Sequence, residues 1–148
     1  MSDMNCIPDL IKRASDSEQL VAAQHLAAKR LLNFDEEVFP SDGCAITLSV
    51  LLQQCSIAVA DVYKAIDLGD VLLQRGWKKI APGEQQPGDI GSTCGPTARH
   101  GNDHIYLVLK VLNSDEMVIA DNQASQPHFR FATGKGKTPT TFFLRATV

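Results

Sequence analysis

The fold of this chain is decided by one stretch, residues 40 to 52, which reads Pro40-Ser41-Asp42-Gly43-Cys44-Ala45-Ile46-Thr47-Leu48-Ser49-Val50-Leu51-Leu52. Turn-forming residues end at Gly43, and the positions that follow are almost all apolar. Apolar residues on most of the circumference predict a helix from Cys44 to about Cys55 that is buried on nearly all sides. The rest of the chain therefore has to pack around it.

Cys44 occupies the first turn of this predicted helix. The first backbone N–H groups of a helix lack acceptors within it and carry partial positive charge, so they stabilise an anion. We therefore expect a lowered pKa for the Cys44 thiol, which makes a nucleophile near neutral pH. Ser41 or Asp42 can cap the helix, and Gly43 leaves room beside the sulfur. The simpler alternative is that Cys44 is a small buried apolar residue.

Length and composition indicate one globular domain. The chain has 148 residues, of which 44% are hydrophobic and 21% charged, enough for a core that needs no metal or disulfide. The net charge is −3 and no basic face is visible, which argues against a nucleic-acid partner. No stretch approaches the roughly 20 apolar residues of a membrane span, so we expect no membrane partner either.

The cysteines and the amino terminus bear on localisation. Four cysteines are too few for a disulfide framework, and we expect free thiols at Cys6, Cys44, Cys55 and Cys94. The amino terminus lacks a basic region followed by a hydrophobic run, which predicts synthesis in the cytoplasm without a signal peptide. Activity outside the cytosol then requires a dedicated secretion system or lysis.

Helical patterns come first along the chain and strand patterns follow. Helical spacing and caps predict helices over residues 7–14, 15–32, 44–55 and 59–75, the last closed by Gly76 in a left-handed cap. Short apolar runs between turn residues predict strands over residues 77–80, 89–91, 104–112, 117–121, 128–131 and 142–146. Helices followed by strands indicate an α+β fold with an antiparallel sheet.

His104 opens the most apolar of these strands, directly after the turn His100-Gly101-Asn102. A histidine at the mouth of a buried strand is a candidate general base, and His104 is favoured over His100 because a strand fixes its geometry. The next strand ends in Asp121-Asn122-Gln123, which brings polar side chains beside the imidazole.

Loop length decides which of those side chains faces His104. With the two-residue loop Asn113-Ser114, Gln123 lies opposite His104, and Asp121 lies on the same face within diagonal reach. A loop one residue longer or shorter turns Asn122 to that face instead. The sequence leaves this choice open.

A helix that carries a cysteine, followed by a sheet that carries a histidine and a polar partner, resembles the papain-like cysteine hydrolases. The closer resemblance is to the NlpC and CHAP families of peptidoglycan amidases and endopeptidases, over about residues 38–123. It is carried by Gly43-Cys44, Pro87-Gly88-Asp89-Ile90, His104-Ile105-Tyr106-Leu107-Val108 and Asp121-Asn122. Small amidase effectors of type VI secretion are similar in size and layout. The chain departs from NlpC-type proteins in having Gly43, not aspartate, before the cysteine, and from CHAP-type proteins in lacking an aromatic residue soon after it.

The resemblance implies a single papain-like domain over residues 1–148, with an N-terminal helical part over 1–37 and a catalytic core over 38–148. It implies that Cys44 attacks an amide carbonyl, that His104 acts as base and then acid, and that Asp121 orients His104. It further implies a peptidoglycan stem-peptide substrate, secretion machinery or a cognate inhibitor protein as partners, and no metal or cofactor.

Three alternatives compete with this interpretation. Cys94, His100 and His104, with Asp103 or His128, could hold zinc, although no paired CxxC or HExxH motif is present. Cys94 could be the nucleophile, but no helix start is evident there to favour its thiolate. Finally, the chain could be an inactive papain-like fold that binds a peptide or protein without turning it over.

Overall fold

The computed structural model describes residues 2–35, 43–96 and 103–148. Within these residues the helices are α1 (Asp3–Ser15), α2 (Ser17–Asp35), α3 (Gly43–Gln54) and α4 (Ala65–Gln74). The strands are β1 (Lys78–Ile80), β2 (Ile90–Ser92), β3 (Ile105–Val111), β4 (Glu116–Ala120), β5 (His128–Phe131) and β6 (Phe142–Arg145). The predicted α+β class is confirmed. The predicted caps Ser41 and Asp42, the turn at 100–102 and the boundary at 37/38 lie outside the described residues.

The strands form one antiparallel sheet in the order β1-β6-β2-β3-β4-β5. Helix α3 contacts α1, α2, α4 and β3, and every residue from Gly43 to Leu52 is buried. The largest apolar cluster lies between the helices and one face of the sheet, and a smaller cluster around Tyr106 and Phe143 covers the other face. The helix that begins next to Cys44 is therefore central, as its composition predicted.

Helix α1 begins earlier than predicted. The Ser2 side chain caps it by accepting a hydrogen bond from the Asn5 N–H at 3.3 Å, so the helix starts at Asp3. The Asp3 carboxylate is buried and accepts bonds from the Arg75 guanidinium at 2.6 and 2.9 Å and from the Trp77 indole at 2.8 Å. These bonds tie the first turn of α1 to the segment between α4 and β1.

Helix α4 begins later than predicted, at Ala65 and not near Val59. The preceding residues run along α3, where polar side chains bind their backbone. Ser49 Oγ accepts from the Val62 N–H at 3.3 Å, and Gln53 Nε2 donates to the Val59 carbonyl at 3.1 Å. Backbone groups engaged in this way are withdrawn from a helical ladder. The predicted left-handed turn at Gly76 is confirmed, with φ of +103°.

None of the helices in the described ranges combines the length and the apolarity that a bilayer crossing demands.

Candidate functional site

His104 and Asp121 meet at one end of the sheet. Nε2 of His104 lies 2.8 Å from Oδ2 of Asp121, whose side chain is 0% exposed. Because a carboxylate only accepts hydrogen bonds, Nε2 carries the hydrogen in this contact. Nδ1 is then the nitrogen that can take a proton from another group, which is the property required of a general base.

A β-bulge selects Asp121 from the three polar residues that follow β4. Leu112 pairs with Glu116, so the loop between β3 and β4 holds three residues. A loop of two residues is the length that would bring Asp121 to the same face as His104. The register then shifts between Val108 and Lys110, which adds one residue to β3 and cancels the longer loop. Leu107 consequently pairs with Ala120, and continuation of this register sets Tyr106 opposite Asp121.

The rival side chains lie elsewhere. Gln123 is exposed, and the Asn122 Oδ1 atom is buried with no hydrogen-bond partner among the described residues. The turn itself is fixed from α2, because Gln24 Nε2 donates to the carbonyls of Asp121 and Ala124 at 2.8 and 2.7 Å. Asp121 is therefore the residue whose side chain contacts His104.

Asp121 accepts two further hydrogen bonds at its other oxygen. The His128 Nε2 atom lies 2.9 Å from Oδ1, and the Gln123 backbone N–H donates to the same atom at 2.9 Å. Burial alone would raise the pKa of the Asp121 carboxyl, but the bonds from His104 and His128 outweigh it and hold that pKa below its usual value. Asp121 is therefore an anion at neutral pH.

Sequence reasoning considered His128 only as a metal ligand and missed this contact. His128 is the first residue of β5 and pairs with Ile119, which lies on the same face of β4 as Asp121. The alternation of side chains along β4 and β5 could have predicted the contact between His128 and Asp121, but only if the register between the two strands were known.

The backbone and ring of His104 are held by β2 and by Tyr106. Its N–H donates to Thr93 Oγ1 at 2.9 Å, and its carbonyl accepts from the Thr93 N–H at 3.0 Å. Its ring stacks on Tyr106 with centroids 5.9 Å apart, and Tyr106 in turn lies across Gly91, where any side chain would collide with the phenol ring. Thr93 therefore holds the His104 backbone, while Asp121 and Tyr106 hold its ring.

Cys44 lies in the first turn of α3, as predicted, but its environment differs from the expectation. It is 2% exposed, and burial raises the pKa of its thiol to about 11. The backbone N–H groups of Ile105 and Ala45 favour the thiolate and offset part of this rise in the pKa, while the neighbouring Cys94 and Asp121 add to it. The prediction of a lowered pKa is wrong because the cost of removing the sulfur from water exceeds what the helix terminus supplies.

The contact between Cys44 and the histidine strand is indirect. The backbone N–H of Ile105, the residue that follows His104 and begins β3, lowers the pKa of the Cys44 thiol, so the sulfur lies near the start of β3. Within the described ranges no hydrogen bond joins the sulfur to the imidazole ring. The structure thus unites His104 with Asp121 and brings Cys44 to the adjoining backbone.

The structure also bears on the other cysteines and on a metal site. All four cysteines lie in the described residues and are buried thiols outside any disulfide, and the Cys94 N–H donates to Ser92 Oγ at 3.1 Å. In the described part of the chain no group of three or more histidine, cysteine or acidic side chains is arranged to hold a metal ion. His100, a proposed ligand and rival base, lies outside that part.

Two surface grooves lie beyond Cys94, on either side of Gly95 and Pro96. One, of about 240 Å³, runs between α4 and the sheet and is lined by residues that include Asp70, Lys79 and Phe142. The other, of about 410 Å³, is lined largely by threonines of the 138–141 segment. Both grooves are lined in part by residues at or just after the end of β2, which pairs with β3 beside His104.

The chain matches no protein-family model, no curated protein and no solved structure with which it was compared. The site is therefore interpreted from its own geometry and chemistry.

Proposed function

We propose that this chain is a cysteine-dependent amide hydrolase of papain-like arrangement, with Cys44 as nucleophile, His104 as general base and acid, and Asp121 as the residue that orients His104. The observation that carries the proposal is the 2.8 Å bond from His104 Nε2 to the buried Asp121 carboxylate, directly before β3, whose first residue, Ile105, favours the Cys44 thiolate through its backbone N–H. The proposal is supported by the placement of the three groups that nucleophilic cysteine catalysis needs, a thiol, an imidazole and a carboxylate that fixes the imidazole tautomer, near the start of β3.

The reaction follows from these positions. His104 Nδ1 accepts the proton of the Cys44 thiol as the sulfur attacks an amide carbonyl, and Asp121 stabilises the imidazolium that forms. The N–H of Cys44, at the start of α3, favours the oxyanion of the tetrahedral intermediate. The intermediate collapses to a thioester as His104 protonates the leaving amine. Water, deprotonated by the same imidazole, then hydrolyses the thioester and restores the thiol.

The thiol enters this cycle in its neutral form. With a pKa of about 11, Cys44 holds its proton at pH 7, so no thiolate–imidazolium pair precedes substrate binding. Proton transfer is therefore coupled to attack, as for a hydroxyl nucleophile. Because Cys44 is 2% exposed and His104 8%, substrate binding has to open the site around the sulfur.

The proposed substrate is a stem peptide of bacterial peptidoglycan. The resemblance of the Cys44, His104 and Asp121 motifs to NlpC and CHAP enzymes supports it. Action on the cell wall requires export, and we propose a dedicated secretion system and a cognate inhibitor protein as partners.

Purified sacculi provide the direct test. We expect wild-type protein to release muropeptide fragments with a newly cleaved amide bond, identified by mass spectrometry, and Cys44→Ala to release none. Cys55→Ala is the matched control, since Cys55 is also buried and free but lies just beyond the other end of α3. Absence of cleavage by wild-type protein overturns the peptidoglycan substrate. Equal cleavage by wild-type protein and Cys44→Ala overturns the role of Cys44.

A peptide- or protein-binding module without turnover is the second candidate. The buried, neutral thiol of Cys44 and the missing hydrogen bond to the His104 ring favour it. If the chain is a binding module, the wild-type protein should retain labelled stem peptides in equilibrium dialysis and release no fragments. The Cys44→Ala variant should bind the same peptides equally well. If the chain is a hydrolase, the Cys44→Ala variant should bind the peptide without cleaving it, and the wild-type protein should cleave it.

A further inference from the structure

The Asp121 carboxylate has a second imidazole partner that the proposed reaction does not use. His128 Nε2 lies 2.9 Å from Oδ1, while His104 Nε2 lies 2.8 Å from Oδ2. His104 directly precedes β3 and His128 begins β5, and the two imidazoles approach opposite oxygens of one fully buried carboxylate. Because the carboxylate only accepts, both imidazoles donate to it through Nε2.

Hydrogen-bond capacity gives His128 a specific task. An ionised carboxylate oxygen has about two lone-pair directions. At Oδ1 both are used, one by the Gln123 N–H and one by His128. With Oδ1 saturated, the carboxylate cannot rotate to exchange its oxygens without breaking two charge-assisted bonds, and Oδ2 stays directed at His104.

We infer that His128 is a positioning residue for His104, which acts through Asp121 by fixing the carboxylate so that His104 keeps its hydrogen at Nε2 and Nδ1 free to accept a proton. The inference rests on the proposed function for its catalytic consequence. Its structural content, the tautomer of His104, can be measured without turnover.

Exposure explains why the loss of His128 would matter. The His128 side chain is 25% exposed, whereas that of Asp121 is 0% exposed. Removal of the imidazole leaves one direction of Oδ1 open towards solvent, where water can bind the carboxylate in competing geometries. The His104 ring then loses part of the constraint on its hydrogen, and both tautomers become populated.

Three substitutions separate positioning from simple loss of packing. His128→Ala removes the donor. His128→Gln retains one, because the Gln Nε2 lies about as far from the backbone as the His Nε2, and His128→Asn carries an amide that is too short to reach Oδ1. His25→Ala is the matched control, since His25 is an exposed histidine of α2 outside this cluster.

The primary measurement is the set of ¹⁵N shifts and two-bond ¹H–¹⁵N correlations of the His104 ring in the free protein. We expect a protonated Nε2 and an unprotonated Nδ1 in wild type, His25→Ala and His128→Gln, and averaged nitrogen signals in His128→Ala and His128→Asn. An unchanged His104 pattern in folded His128→Ala or His128→Asn overturns the inference. Far-UV circular dichroism establishes whether each variant is folded. If His128→Ala does not fold, His128→Asn provides the same test.

Turnover supplies the second measurement. On a stem-peptide substrate we expect kcat to fall about tenfold in His128→Ala with KM unchanged, and to recover in His128→Gln, because a charge-assisted hydrogen bond is lost and regained. A rise in KM at constant kcat contradicts positioning. If wild-type protein cleaves nothing while the His104 tautomer still responds to His128→Ala, the proposed function fails and the positioning role stands.

Discussion

Two regions of the site bury an acidic group at similar depth and hold it in opposite protonation states. At the end of β4, Asp121 is 3% exposed and its pKa is held below the usual value. At the start of α3, Cys44 is 2% exposed and its pKa is raised to about 11. The carboxylate receives bonds from two imidazoles and one backbone N–H, whereas the thiol receives only backbone N–H groups. At similar burial, the number and strength of the donors therefore decide whether each pKa lies below or above its ordinary value.

Asp121→Asn is expected to break this contrast with the largest effect. The amide keeps the shape of the carboxylate, but its NH₂ group cannot accept from an imidazole and it carries no charge to stabilise an imidazolium. We expect amide hydrolysis to fall by about 10⁴-fold, as expected when a histidine is held in the wrong tautomer. Thermal unfolding should show a loss of about 2 kcal/mol in the free energy of unfolding, because hydrogen bonds to a buried charge are lost.

Asp67→Asn is the control for that experiment, since Asp67 is exposed on α4. It should retain the activity and stability of the wild type. Activity of Asp121→Asn within tenfold of wild type would show that the imidazole of His104 does not depend on a carboxylate.

The Cys44 half of the contrast can be tested through the pH dependence of alkylation. Only the thiolate reacts, and the pKa of Cys44 lies about two units above the ordinary value of 9.0. At neutral pH the thiolate fraction should therefore be about 100-fold smaller than that of an unperturbed thiol. The iodoacetamide rate at Cys44, followed by peptide mass spectrometry, should rise steadily with pH towards 11.

The same peptide from urea-unfolded protein is the reference, because its thiol is solvated and should titrate near 9. A rate at Cys44 that is already at its plateau near pH 7 would contradict a neutral thiol. It would indicate instead a preformed thiolate–imidazolium pair with His104.

The sequence predicted the elements of this site better than their environment. Strand bounds agree with the predictions to within one or two residues, since turn residues delimit each apolar run. The partner of His104 was left open because it depends on a bulge between Val108 and Lys110. Residues 105 to 109 are all apolar and all buried, so no alternation of polarity reveals where the register shifts.

The errors have a common physical origin in long-range contacts. The lowered pKa expected for Cys44 followed from its helix position, whereas its desolvation depends on what β3 and the rest of the core place over the sulfur. The early start predicted for α4 followed from the helical spacing of Val62 and Ile66. Ser49 overrides that spacing by binding the Val62 backbone from α3. Local patterns report propensity, and packing between distant segments decides the outcome.

A substitution at Gly91 tests how strongly the position of the His104 imidazole depends on Tyr106. A Cβ atom there would collide with the ring of Tyr106, on which His104 stacks. Gly91→Ala should therefore displace Tyr106, lower the free energy of unfolding by about 2 kcal/mol and reduce activity through His104. Chemical denaturation measures the first effect, and peptide hydrolysis measures the second.

Gly69→Ala is the matched control, because its Cβ would meet only Leu144 at an ordinary contact distance of 3.9 Å. It lies within α4, where alanine is preferred over glycine, so stability should rise by up to about 1 kcal/mol. If both substitutions have the same effect on stability, Tyr106 is free to move away from Gly91 at no cost.

The smallest expected effect lies on the thiol side, at Ser49. This buried hydroxyl, one turn after Cys44 in α3, donates to the Ala45 carbonyl at 2.9 Å and accepts from the Val62 N–H at 3.3 Å. Ser49→Ala leaves that N–H without its partner, which should cost about 1 kcal/mol of unfolding free energy in urea denaturation. Thr47→Val, which removes another buried hydroxyl of α3, is the comparison. Because the Ser49 hydroxyl bonds to Ala45 and Val62 and not to the Cys44 sulfur, we expect the pH profile of alkylation to be unchanged in Ser49→Ala. A shift of that profile towards neutral pH would mean that the segment held by Ser49 is what keeps water from the sulfur.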